Sequence, residues 1–75
     1  MKSYNISGHI HYAGDSRFIA RACAIPVGAQ AASEDVVAES IASNNEARLV
    51  VYELVVALAG RIRRRGDRIE DVIVE

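Results

Sequence analysis

Seventy-five residues with a net charge of −1, 51% hydrophobic and 25% charged, describe one folded domain spanning residues 1–75. The chain is too apolar for a disordered tail and too near neutrality for a globally basic nucleic-acid binder. A chain this short buries only about 60–65% of its unfolded surface, so a lone core is marginal and staples or partners are expected.

The staple is not a disulfide, because Cys23 is alone. An unpaired cysteine points to a reducing compartment, here the cytoplasm. The opening residues, MKSYNISGHIHYAG, carry no apolar signal-peptide core. Residues 49–59, the longest apolar-rich run, include Glu53 and reach about half the length of a membrane span, so no membrane partner is expected.

Residues 4–12 alternate: Tyr4, Ile6, Ile10 and Tyr12 fall on one face, with Gly8 in the same row, and Asn5, Ser7, His9 and His11 on the other. Period two predicts a half-buried strand. Ala13-Gly14-Asp15-Ser16 is turn chemistry. Residues 17–25 alternate again and stop at Pro26, which cannot donate to a ladder. A hairpin in which Tyr12 meets Arg17 sets Ile10 against Ile19, Ile6 against Cys23 and Tyr4 against Ile25. Those six apolar residues would form the core face, with Phe18 on the outer one.

Residues 35–42 are predicted as a third strand, with a short helix over 34–42 as the alternative, because Ser33-Glu34-Asp35 also resembles a helix start. Ser43-Asn44-Asn45-Glu46 is a capping box, so a helix begins at Asn44 and runs to about residue 65. At 100° per residue it carries Ala47, Val51, Leu54, Val55, Leu58 and Ile62 on one stripe. Leu49, Tyr52, Val56 and Ala59 cover much of the opposite side. Gly60 is costly inside a helix and permits close backbone approach. Gly66 fits the left-handed position that ends one. Residues 69–74 read as a last strand.

Constellations with chemistry are sparse. His9 and His11 point the same way from a strand, but a metal site needs three or four ligands, so they are read as solvated. Their expected cross-strand neighbours are Ala20 and Phe18. Cys23 lacks an adjacent base or helix N-terminus to lower its pKa, and is read as a small buried hydrophobe. No phosphate loop, nucleophile elbow, catalytic pair or cofactor motif is visible, so no catalytic, metal or cofactor residue is assigned and the chain is read as a non-enzyme. The arginines 61, 63, 64, 65 and 68 follow a middle segment, 27–47, whose only charges are acidic. They compensate the helix dipole, bind phosphate, or pair with acidic groups of a partner.

The expected architecture is α+β: an antiparallel sheet of three or four strands with one long helix packed on a face. The functional expectation is a small interaction module that works as a homo-oligomer, most simply a homodimer, through Leu49, Tyr52, Val56 and Gly60. Another protein is a second conceivable partner. The alternative is a small nucleic-acid-binding protein using Arg61, Arg63, Arg64, Arg65 and Arg68, helped by Arg17, Arg21 or Tyr52.

Overall fold

The computed structural model describes all 75 residues. The chain forms β1 (Ser3–Gly14), β2 (Arg17–Pro26), β3 (Glu34–Ile41), α1 (Asn44–Arg64) and β4 (Arg68–Val74). The strands make one sheet in the order β3-β2-β1-β4, and α1 lies across one face of it. The α+β class, the four strands and the single helix agree with the sequence reading. The third segment is a strand, not a helix.

The direction of β4 departs from the all-antiparallel expectation. β1 pairs antiparallel with β2, and β2 with β3, but β4 runs parallel to β1. The reason is the length of α1. Its 21 residues, at about 1.5 Å each, carry the chain back along the whole sheet before β4 begins. A strand reached by such a return must run parallel to the strand before it, β3, and hence to β1.

The hairpin register is also shifted by one residue. Asp15 (φ 52°) and Ser16 (φ 57°) form a two-residue turn of the type that matches strand twist, closed by Gly14 against Arg17. An irregularity between Tyr12 and Gly14 absorbs the extra residue. Ile10 therefore faces Ala20, Ile6 faces Ala24 and Tyr4 faces Pro26. Ile19, Cys23 and Ile25 lie on the face away from the helix, half-buried, and Cys23 is not a core residue. Phe18 goes the other way, to the helix side, where it packs at the edge of the core. The true neighbours of His9 and His11 are Arg21 and Ile19.

An alanine floor explains why α1 sits where it does. Ala20, Ala22 and Ala24 are fully covered, and Gly8 beside them lies beneath Val51 and Val55. Small residues on the central strands admit the larger ones of the helix: Val51, Leu58 and Ile62 are fully buried together with Ile6. Ala59 is buried as well, rather than belonging to the outer stripe, while Leu54 is only half-buried.

Both helix ends follow their local signals. The Ser43 side-chain oxygen accepts from the Glu46 amide at 3.1 Å. Gly66 (φ 88°) donates to Arg63 O, and Asp67 donates to Ile62 O, the paired bonds of a Schellman motif. Ser43→Ala removes the only side-chain acceptor at the start of α1 and is expected to lower stability by ~1 kcal/mol. An unchanged denaturation midpoint would show that the cap contributes nothing.

Candidate interaction surface

On α1, the residues turned from the sheet include three large apolar ones. Leu49 is 67% exposed, Tyr52 57% and Val56 70%. Spaced three and four apart, they form one stripe. Gly60 continues the row, but the Arg64 guanidinium folds over it, 3.5 Å from where a Cβ would stand. The approach this glycine offers a second helix therefore opens only if Arg64 moves.

The stripe is not opposite the core but leans to one side. Tyr52 and Arg48 border an open concavity of about 550 Å³ together with Val74 and Glu75 of β4, and with Ile10, Tyr12 and Phe18 at its floor and wall. Tyr12 and Phe18 meet there edge to face, 5.3 Å between ring centres. The flank of α1 carrying Tyr52 thus faces β4. The flank carrying Arg61 and Arg65 faces β3, where Glu34 stands.

The arginine cluster divides into structural and free members. Arg65 Nη2 donates to Glu34 Oε2 at 2.7 Å and its Nε donates to Asp67 Oδ2 at 2.9 Å. Its guanidinium carbon lies 5.1 Å from the centre of the Tyr4 ring. The Lys2 amide donates to the other oxygen of Asp67. One guanidinium so ties the end of α1 to the starts of β1 and β3. Arg61 approaches the same Glu34 at 3.8 Å, and Arg68 approaches Glu70 at 3.9 Å. Arg63 and Arg64 have no acidic partner within ion-pair distance. Arg17, at the hairpin tip, lies at the opposite end of the molecule from the cluster, and Arg21 points from the face away from the helix. The five arginines and their proposed helpers do not form one surface.

Hydrogen bonding to Arg65 holds the Glu34 carboxyl below its ordinary range, and the Lys2 amide with Arg65 does the same for Asp67. Both carboxylates are therefore more acidic folded than unfolded. Their contribution to stability is present above the ordinary carboxylate range and is lost as pH falls through the folded values. Arg65→Gln is expected to lower stability at neutral pH and to flatten its fall between about pH 5 and 3. An identical acid profile in that variant would mean the clasp is not coupled to folding.

The remaining candidates stay apart. His9 and His11 rings are 6.2 Å apart; His9 contacts Ser7 Oγ and lies 3.5 Å from Glu75, and no three metal-ligating side chains converge anywhere. Burial, then Asp35 across the strand, raises the Cys23 thiol above its usual range, which disfavours the thiolate. No helix is long and apolar enough to cross a membrane. Comparison with protein-family models, characterised proteins and solved structures finds no match to this chain.

Proposed function

We propose that this protein is a non-enzymatic interaction module that acts as a homo-oligomer, most simply a homodimer, through the outer stripe of α1. The observation that supports this reading is the exposure of Leu49, Tyr52 and Val56 on a helix whose other side already fills the core. A contiguous apolar patch of this kind on so small a domain marks an interaction site. Covering each large side chain contributes on the order of 1.5–3 kcal/mol, and a two-fold contact counts every residue twice against a single association cost. A cytoplasmic setting, where the single thiol stays reduced, accords with this reading. The test is the solution mass across concentration: sedimentation equilibrium is expected to show monomer passing to dimer. A chain that stays monomeric at millimolar concentration removes the main support.

A second reading, nucleic-acid binding, draws on Arg63 and Arg64, which are exposed and have no acidic partner. Two phosphate contacts predict a log–log salt slope of roughly −1.8 on duplex DNA. Absence of salt-sensitive binding excludes it.

A further inference from the structure

The two edges of the sheet are built differently. The edge at β3 carries Glu34, Asp35 and Glu39 and is broken by a left-handed kink at Ser40 (φ 60°), the devices that keep an edge from pairing. The edge at β4 has an irregularity and two acids at its start, around Glu70 and Asp71, and one acid, Glu75, just past its end. Val72, Ile73 and Val74, in between, carry no charge, proline or kink, and Val72 and Ile73 are 44% and 52% exposed. The Glu75 amide donates to Gly8 O, so by alternation Ile73 also turns its backbone groups to β1. Val72 and Val74 turn theirs outward, to the open edge, where the Asp71 side chain accepts from the Val72 amide at 2.9 Å and must swing aside before a second strand can pair.

We infer that β4 is the pairing edge for a second copy of this chain, joined antiparallel about a two-fold axis at Val72, so that the two sheets continue as one with both helices on the same face. The inference rests on the homo-oligomer reading above and names its geometry. Charge complementarity selects both the occupant and the register. With Val72 facing its own copy, Asp71 faces Ile73 and Glu70 faces Val74 of the second copy. Arg68 at the basic start of one strand comes beside Glu75 at the acidic end of the other, once at each end of the seam. Moving the axis to Ile73 sets Asp71 against Glu75, and moving it to Asp71 sets that carboxylate against itself, both unfavourable across a ladder. An antiparallel self-pair is isologous, so every favourable contact occurs twice. The surface is continuous with the helix stripe, because the Tyr52 flank of α1 borders β4 across the concavity it shares with Val74 and Glu75.

Amide hydrogen exchange on the full chain, read by NMR at concentrations below and above dimerisation, tests this directly. The Val74 amide, open in the monomer, and the Val72 amide, held there only by the exposed Asp71 carboxylate, are expected to slow on the order of tenfold or more in the dimer, with little change at Ile73. Val72→Lys places like charges at the axis and is expected to yield a folded monomer. A dimer in which the Val72 and Val74 amides exchange as they do in the monomer overturns the β4 pairing while leaving the homo-oligomer reading intact. A chain monomeric at every concentration overturns both. Should the lysine variant not fold, the exchange pattern of the unaltered chain decides alone.

Discussion

Gly8→Ala is expected to destabilise the protein by about 1–3 kcal/mol, the range for forcing an extra methyl group into a packed core. A Cβ at this position stands 2.7 Å from Val51 Cγ1, 3.1 Å from Val55 Cγ2 and 3.7 Å from Val74 Cγ1. The first distance is shorter than real carbon contacts allow, so something must move. Val51 is fully buried, and a β-branched side chain in a helix has essentially one rotamer, so it cannot turn aside. The helix must instead lift from the alanine floor, loosening Leu58 and Ile62 along the same line. A domain of this length holds roughly 4–11 kcal/mol in total, so the loss is a large share of it. A urea titration measures it as a lower midpoint at unchanged slope. Pairing the substitution with Val51→Ala is expected to recover part of the loss, since the two sites are in contact and couple. A single variant as stable as the parent would mean that α1 does not sit this close to β1.

That same close approach explains why the core face of β2 was hidden in the sequence. The alternation of residues 17–25 offers two rows, one of Ile19, Cys23 and Ile25 and one of Ala20, Ala22 and Ala24. Hydrophobicity alone favours the bulkier row for the inside. The helix decides otherwise, because a cylinder seated on the middle of a sheet needs small residues beneath it, and the bulkier side chains remain half-buried on the open face. A one-residue irregularity at the hairpin end then suffices to exchange the faces, since the side-chain period is two. Features that rest on neighbouring residues were legible. The Ser43 cap and the Gly66 stop both depend on contacts within four residues of themselves, and both stand where the sequence places them. The parallel entry of β4 is in principle legible too, because three antiparallel strands followed by a helix of full sheet length leave no other direction.

The candidate surfaces divide along the same line. The outer stripe of α1 was readable from helical periodicity alone, and Leu49, Tyr52 and Val56 are exposed as expected. The division of labour among the arginines was not. Glu34, which engages Arg65, lies 31 positions away, and only the folded sheet brings it, Asp67 and the Tyr4 ring to one guanidinium. Nor did composition distinguish the guarded edge at β3 from the open one at β4, because which strands are edges is a property of topology.

Val56→Glu is expected to dissociate the proposed homodimer without unfolding the chain. Val56 is 70% exposed and makes no core contact, so the monomer is expected to keep its stability to within about 0.5 kcal/mol. Glutamate is also a slightly better helix former than valine. In a two-fold interface, however, the change buries two unpaired carboxylates. At upward of 1–3 kcal/mol each, they would weaken association by roughly 10²–10⁴-fold. Circular dichroism separates the two effects: the helical signal should persist while the sedimenting mass falls to that of one chain. Gly60→Ala provides the contrast, since a Cβ there meets only Arg64, in ordinary contact at 3.5 Å. It should raise monomer stability by about 0.5–1 kcal/mol, and should weaken the dimer only if the two helices close over that residue. A Val56→Glu chain that dimerises as tightly as the parent would remove the helix stripe from the interface. It would leave the open edge of β4 to carry the association alone.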